Sequence, residues 1–156
     1  MAKTPIPVGF VGLSSKPEWS WAVAAHLPYF AQSTNYKIAA LQNSSVETAK
    51  KAIEVHKLGD DVHAHGDVQS IASDPSVDLV AIAVKVPLHA AAVEAALNAG
   101  KSVFCEWHLA RNGAEAERLT SLAQAIELLV ILIMHWLCCA AVRTCLSPHR
   151  VFMSQL

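Results

Sequence analysis

The chain of 156 residues is long enough for one domain with a sizeable hydrophobic core. It is 53% hydrophobic and 16% charged with a formal net charge of −1, a balance that gives no reason to expect nucleic acid or an anionic membrane as partner. The N-terminus has no signal-peptide pattern, and the four cysteines follow no disulfide-framework spacing. We therefore expect a cytoplasmic protein with reduced thiols.

The first predicted element is a buried strand over residues 7–11, which runs into a tight turn of small residues. A segment over residues 19–30 follows and can form a helix. Strand, small-residue turn and helix is the layout that places backbone N–H groups around a pyrophosphate. Only Gly12 of the three glycines of this motif is present, with Ser14 at the second position and Ala22 near the third. The turn taken alone is equally compatible with an ordinary strand-to-helix connection.

The second predicted strand covers residues 36–41. Ser44 and Glu47 have the spacing of a capping box, so we expect Ser44 to cap a helix that Gly59 ends. No Asp or Glu follows this strand, where NAD-specific sites usually carry a carboxylate for the ribose hydroxyls. A neutral pocket does not repel a 2′-phosphate, so NADP is allowed, and Lys16 is a candidate to reach that phosphate.

The later predicted elements alternate in the same way. They are a strand over 62–64, a helix over 68–72, a nearly continuous apolar strand over 77–84, a helix over 88–99 and a strand over 102–105. A last helix begins at a capping box formed by Asn112 and Glu115 and runs to about residue 125. Strands alternating with helices predict the α/β class: a single doubly wound, parallel sheet of the Rossmann type. Ligands of such sheets bind beyond the carboxyl ends of the strands.

The pattern changes after residue 125. An uncharged run covers residues 128–142, too short for a confident membrane span, and its first half is compatible with a sixth buried strand. We assign residues 5–125 to the dinucleotide-binding domain and residues 126–156 to a divergent apolar segment that is not a separate domain. The His and Cys residues of this segment match no standard zinc spacing, so we predict no metal site among them: His135, Cys138, Cys139, Cys145 and His149.

Four pieces of the chain together resemble the N-terminal domain of the glucose–fructose oxidoreductase and inositol dehydrogenase (Gfo/Idh/MocA) family. They are VGFVGLSS at 8–15, HLP at 26–28, VKVPLH at 84–89 and GKSVFCEWHL at 100–109. The resemblance covers roughly residues 5–125 and looks closest to a fungal branch that includes a galactose-regulon repressor. Family members normally carry a second, C-terminal domain with substrate contacts, so we expect a truncated chain. Its last segment departs from the family pattern, as that of a truncated gene product, or of one altered by a frameshift or a retained intron, would.

The resemblance implies a site for NADP or NAD. The residues that it assigns to the cofactor are Gly12, Leu13, Ser14, Ser15, Asn43, Ser44, Val84, Lys85, Pro87, His89, Glu106 and Trp107. Two of these assignments leave an alternative open. Ser44 is expected to cap a helix in any case, and His89 is either a ligand contact or a packed histidine at a helix N-terminus.

Glu106-Trp107-His108 is the main departure from the family pattern. The family's enzymes typically have Glu-Lys-Pro there, and their lysine assists proton transfer beside the nicotinamide. Trp107 cannot act as acid or base and has one N–H donor. The repressor-like branch also has Trp, usually followed by Pro, so His108 puts the family's cis-proline turn in doubt. We predict no catalytic residue in this chain.

Two functions follow. The first is an NAD(P)-binding domain of an oxidoreductase-family protein, without turnover as this chain alone. The second is a non-catalytic, repressor-like or cofactor-sensing module that binds a partner protein. The apolar C-terminal segment adds an expectation of self-association or partner binding.

Overall fold

The computed structural model describes residues 4–16, 18, 20–126 and 130–133. In this part of the chain six strands form one sheet with the order β3-β2-β1-β4-β5-β6. The strands are β1 Ile6–Val11, β2 Tyr36–Gln42, β3 His63–His65, β4 Leu79–Ile82, β5 Ser102–Glu106 and β6 Val130–Ile133. Every neighbouring pair is parallel, which confirms the predicted doubly wound α/β sheet.

Helices connect the strands. They are α1 Leu27–Gln32, α2 Val46–His56, α3 Val68–Ala72, α4 His89–Asn98 and α5 Gly113–Ala125. A π-helical stretch, Ala22–His26, leads directly into α1, so the helix expected over residues 19–30 begins later and ends at residue 32. Pro28 has no N–H, so it cannot donate the hydrogen bond of an α-helix to the carbonyl four residues earlier. Just before it, the Leu27 N–H donates to the Ala22 carbonyl, five residues earlier, which is the wider turn of a π-helix.

Alternate residues of the central strands supply two cores, one on each face of the sheet. Val80 and Ile82 of β4 belong to the core under α4 and α5, whereas Leu79 and Ala81 belong to the core beneath the Ala22–Gln32 helix and α2. This division follows from the period of two in a strand, and it explains why a strand covered on both faces is apolar throughout.

Aromatic side chains fix the first helix on the sheet. Phe30 of α1 meets Phe10 edge-on at a centroid distance of 5.7 Å and Phe104 at 5.8 Å. Ala22 is 3% exposed and packs in the same core. A small, buried residue therefore lies near the position where the family motif has its third glycine.

Two predicted helix boundaries on either side of α2 are wrong. The N-cap is Ser45, not Ser44: the Ser45 hydroxyl accepts from the Thr48 N–H at 3.2 Å, and the Thr48 hydroxyl accepts from the Ser45 N–H at 3.0 Å. At the other end Lys57 adopts the left-handed conformation with φ of 52°, so the helix ends before Gly59. Thr48 completes the capping box in place of the expected Glu or Gln.

The predicted cap of α5 is confirmed in part. Asn112 Oδ1 accepts from the Glu115 N–H at 2.9 Å. The Glu115 carboxylate does not return the bond to Asn112; it accepts from the Arg111 N–H and pairs with the Arg111 guanidinium, each at 3.0 Å. The Arg111 guanidinium attracts the Glu115 carboxylate, which therefore bonds to the N–H of Arg111 and not to that of Asn112, the N-cap residue.

The last described strand, β6, pairs with β5 over four residues. It confirms the sixth strand expected in the first half of the apolar run. The sheet therefore continues past residue 125 into the segment that the sequence sets apart. In the parts of the chain that are described, no helix has the length and apolar character needed to cross a membrane.

Candidate functional site

The candidate site lies at the sheet edge where the parallel strands end. From β1 the chain moves outward to β2 and β3, then returns past β1 to form β4 on the other side. The loops after β1 and β4 therefore leave the sheet in opposite directions, and a crevice opens between them. The loops after β2 and β5 lie on either side of it.

Gly12 makes the turn after β1. Its φ is +96°, and a β-carbon there would lie 2.4 Å from Val84 Cγ1 and 2.7 Å from the Ala83 carbonyl oxygen. Its N–H donates to the Gln42 carbonyl at 3.0 Å. Both the backbone conformation and the approach of the β4 loop therefore require glycine.

The next three residues form the turn that the resemblance assigns to the pyrophosphate. Leu13 is buried in the core, and Ser14 and Ser15 are half-buried. Within the described residues the N–H groups of these three donate to no protein acceptor. Donors of this kind in a turn beside a glycine fit an anionic ligand, because successive backbone N–H groups in a turn can form a concavity that binds anions.

Two side chains hold this turn in place from α2 and its N-terminal loop. His56 Nε2 lies 2.7 Å from the Ser14 carbonyl oxygen. Asn43 Nδ2 donates to the Leu13 carbonyl at 2.9 Å and to the Thr48 carbonyl at 3.2 Å. The end of β2 therefore positions the turn after β1, and the amide nitrogen of Asn43 donates to both of these carbonyls.

Ser44 is exposed beside Asn43, and its hydroxyl lies 3.4 Å from the Thr48 hydroxyl. Since Ser45 caps α2, the Ser44 hydroxyl is not needed for the helix. Lys16 is exposed on the loop after β1, where its N–H donates to the Ser14 hydroxyl at 3.0 Å. The loops after β1 and β2 thus carry an exposed lysine and an exposed hydroxyl at the residues that the sequence analysis names, Lys16 and Ser44.

The loop after β4 contains Val84, Lys85 and Pro87. Val84 is half-buried, and Lys85 and Pro87 are exposed; Pro87 lies in a short 3₁₀ turn, Val86–Leu88, which precedes α4. This loop borders the crevice on the side opposite the Gly12 turn. The structure therefore brings these three residues to the edge where the sequence places them.

His89 is 1% exposed, and both of its ring nitrogens face backbone oxygens. Nδ1 lies 2.7 Å from the His108 carbonyl oxygen, and Nε2 lies 2.8 Å from that of Val84. The side chain thereby links the loop after β4 to the loop after β5. Of the two alternatives that the sequence leaves open for His89, these contacts favour the packed histidine.

Glu106 ends β5 and pairs with a residue that the sequence analysis did not assign to the site. Its Oε1 lies 2.6 Å from Nε2 of His26, whose ring is 3% exposed and meets Phe104 edge-on. The two residues are 80 positions apart. The HLP triplet contributed to the family resemblance, but nothing in the sequence indicated this contact.

Trp107 and His108 follow at the rim of the crevice. Trp107 is 50% exposed, its ring lies 4.6 Å from that of His108, and the peptide bond between them is cis although no proline is present. A groove of about 650 Å³ opens beside them, with walls from the loop after β5 and from α5. The apolar and aromatic lining includes Val86, Trp107, Leu109, Ala110 and Ala116.

Cys105 lies directly under this rim. Burial, with a smaller contribution from the Glu106 carboxylate, raises the pKa of its thiol far above the ordinary value. The thiol is therefore neutral at physiological pH and is not a nucleophile. The histidines and cysteines of the C-terminal segment lie outside the described residues.

The parallel sheet, the switch between β1 and β4 and the glycine turn define the chain as a dinucleotide-binding Rossmann domain. The sequence model of a protein family, described as the oxidoreductase family with an NAD-binding Rossmann fold, matches residues 7–133. The chain therefore belongs to the Gfo/Idh/MocA family. This confirms the resemblance inferred from the four sequence pieces.

Similar proteins include enzymes and a regulator. Dehydrogenase aclE of Aspergillus oryzae is 40% identical over 121 residues, which are 76% of this chain and 33% of aclE. The structure of transcriptional regulator Gal80p from Kluyveromyces lactis matches with a TM-score of 0.74 and 30% identity over 84% of this chain and 33% of Gal80p. Biliverdin reductase from Synechocystis, solved with biliverdin and NADP+, gives a TM-score of 0.70 and 29% identity over 83% of this chain and 38% of that one. The chain thus spans about a third of these relatives.

Proposed function

We propose that this chain binds a nicotinamide dinucleotide, NADP or NAD, in the crevice between the loops after β1 and β4. The observation that carries the proposal is the glycine turn, whose three following N–H groups find no acceptor in the described structure. Those N–H groups would hold the pyrophosphate. When bound, the nicotinamide supplies hydride transfer, and the protein orients it.

The other contacts follow the order of the strands. Asn43 and Ser44 would face the adenine ribose, and the backbone of residues 84–87 would lie along the nicotinamide ribose. Glu106 would accept from a ribose hydroxyl through its Oε2, because His26 already occupies Oε1. Trp107 would border the nicotinamide. His89 would act through the two loops that it links.

We further propose that the pocket accepts the 2′-phosphate of NADP. The end of β2 carries no carboxylate to repel it, and exposed Lys16 lies on the neighbouring loop. Titration of the full chain with NADPH and with NADH, followed by nucleotide fluorescence, tests both proposals. We expect saturable binding of NADPH, and Lys16→Glu should weaken NADPH binding at least tenfold while changing NADH binding little. Equal effects on both nucleotides would contradict the role of Lys16, and no binding of either would contradict the function.

Glu106→Gln provides a separate test of the ribose contact. A hydrogen bond to a charged group contributes about 1.5–3 kcal/mol, so the variant should bind NADPH roughly tenfold more weakly or worse. Glu54→Gln, which changes an exposed carboxylate on α2, is the matched control. Equal affinity of the two variants would remove Glu106 from the site.

We propose that the chain alone catalyses no turnover. Trp107 stands where the family's enzymes carry a lysine. Its indole can donate a hydrogen bond but cannot act as an acid or a base near neutral pH. Purified protein, NADP+ and a panel of sugars and polyols should therefore give no NADPH beyond the rate without substrate. Substrate-dependent NADPH formation would contradict this proposal.

A second candidate function is a non-catalytic module that senses the cofactor and binds a partner protein. The half-exposed Trp107 at the mouth of an apolar groove favours it, since aromatic side chains in such positions are common anchors of protein interfaces. One of the similar proteins is named as a transcriptional regulator. A pull-down with parent and Trp107→Ala proteins, with and without nucleotide, separates the two functions. A partner captured only by the parent favours the partner-binding module. Nucleotide binding without a captured partner favours the dinucleotide-binding domain of an oxidoreductase.

A further inference from the structure

Two histidines and an aspartate form a cluster on the edge strand of the sheet. His63 and His65 are the first and last residues of β3, two positions apart, so their side chains lie on one face of the strand. Asp74 lies in the loop between α3 and β4. Its Oδ2 is 2.8 Å from His63 Nδ1 and 2.9 Å from His65 Nε2. None of the three residues is among the proposed contacts to the dinucleotide.

The rest of the carboxylate is fixed by its own loop. Asp74 is 5% exposed, and its Oδ1 accepts from the Ser76 N–H at 2.8 Å and from the Ser76 hydroxyl at 2.6 Å. Lys101 Nζ donates to the Asp74 and Val77 carbonyls at 3.2 Å and 2.6 Å, which anchors the loop to the start of β5. Oδ2 is therefore held toward both imidazoles before any ligand arrives.

The three atoms have the identity and spacing of metal ligands. One ligand atom from each of His63, His65 and Asp74 lies within 4.8 Å of the other two. Zinc takes imidazole nitrogen and carboxylate oxygen at about 2.0–2.2 Å, so tetrahedral ligand atoms lie about 3.3 Å apart. The two nitrogen–oxygen distances would have to open by about half an ångström, which a small rotation of an imidazole provides.

The surroundings also fit an ion that exchanges with solvent. The His63 side chain is 57% exposed and that of His65 is 17% exposed, whereas the Asp74 side chain is 3% exposed. The cluster therefore has a buried anionic side and an open side. The hydrogen bonds from Ser76 to the ligating carboxylate are of the kind that orients ligands around bound metals.

We propose that His63, His65 and Asp74 bind one divalent transition-metal ion, with Zn²⁺ the best match to this ligand set, and that a water molecule completes the tetrahedron on the side of His63. The ion ties the edge strand β3 to the loop before β4. Three protein ligands and an open fourth position predict weaker binding than that of a four-ligand structural site.

Cobalt titration of the full chain tests the proposal, because Co²⁺ reports its ligands through its absorption spectrum. We expect one equivalent to give the visible bands of tetrahedral cobalt without the near-ultraviolet band of thiolate ligation, and Zn²⁺ should displace it. His63→Gln changes a side chain that is 57% exposed, and it should weaken binding at least tenfold. Asp74→Asn should abolish the visible bands.

His108→Gln is the matched control, since it removes another exposed histidine outside the cluster. It should bind cobalt as the parent does. Ser76→Ala should weaken binding by about tenfold through the carboxylate that Ser76 orients. Parent-like affinity in His63→Gln would overturn the proposal. A thiolate band that persists in Asp74→Asn would assign the ion to cysteine ligands and would overturn it as well.

Discussion

The geometry of the crevice depends on a glycine at position 12. A methyl group at this position would collide with Val84 and with the Ala83 carbonyl, and the backbone would remain at a φ of +96°. Either the turn or the β4 loop would have to move, and both belong to the proposed site. The requirement for glycine therefore comes from the protein itself, before any ligand is considered.

We predict that Gly12→Ala lowers the free energy of unfolding by about 3 kcal/mol, from backbone strain and overpacking together. It should also abolish nucleotide binding. Gly113→Ala is the matched control: a β-carbon at Gly113 meets nothing within 4 Å, so this variant should be as stable as the parent or more so. Urea unfolding of both variants measures the difference, and equal stabilities would show that the turn can relax.

Cys105 gives the protein a dependence on alkaline pH whose sign follows from burial. The pKa of the thiol is raised in the folded state. The folded protein therefore keeps its full stability at pH values below the pKa that the thiol has in the unfolded chain, and it loses stability as the pH rises above that pKa. The loss should begin near pH 8.5 and amount to about 1.4 kcal/mol per pH unit.

The measurement is urea unfolding of the parent and Cys105→Ala between pH 7.5 and 10. The free energy of unfolding of the variant should fall less steeply with pH than that of the parent, by about 1.4 kcal/mol per pH unit. This difference in slope does not depend on the variant's stability at neutral pH. Comparison at each pH removes the contribution of the other thiols. Parallel curves for the two proteins would mean that Cys105 does not stay neutral in the folded state.

At the scale of elements, the order and type of the strands and helices could be predicted, but the helix ends could not. Apolar runs such as residues 77–84 and 102–105 are long enough to identify buried strands. A cap depends on one or two hydrogen bonds, and in the sequence the spacing of Ser44 and Glu47 favours Ser44 over Ser45. Only the extended backbone of Ser45 and the hydroxyl of Thr48 decide between them.

This choice makes a prediction about α2. Ser45→Ala should lower the free energy of unfolding by about 1 kcal/mol, because the Thr48 N–H loses its acceptor. Ser44→Ala should change it by less than about 0.5 kcal/mol. Thermal unfolding followed by circular dichroism would reveal the difference. The reverse order of effects would return the cap to Ser44.

The candidate site shows a similar limit of sequence reasoning. Residues at strand ends could be assigned from the alternation of elements and from the resemblance, because a parallel sheet gathers these ends at one edge. The pair of His26 and Glu106 and the cluster on β3 join residues from distant or separate elements. Such contacts depend on side-chain directions and on the packing of helices, which the hydrophobic pattern does not specify.

At the scale of the whole molecule, the chain has the fold of its family. The sheet, the switch point and the glycine turn are those of an NAD-binding Rossmann domain of the oxidoreductase family. By the resemblance Trp107 stands where the family's enzymes typically have a lysine, and we propose that it leaves the site without a residue that moves protons. The most consistent account is a domain that holds a dinucleotide and presents an aromatic rim beside it, either to a substrate-binding part of a longer protein or to a partner.

The apolar C-terminal segment belongs to this scale as well, although residues 134–156 lie outside the described structure. From its sequence we expect self-association of the purified chain. Size-exclusion chromatography with light scattering measures it directly. A single monomeric peak over a hundredfold range of concentration would contradict this expectation.

The position of the nucleotide is the central claim, and backbone amide NMR of the full chain tests it most directly. On addition of NADP+, the largest shifts should occur at the N–H groups of Leu13, Ser14 and Ser15, followed by the loops after β4 and β5. The N–H groups of α5 beyond residue 116 should change little. Saturable shifts confined to other parts of the chain, or no shifts at millimolar nucleotide, would contradict the account.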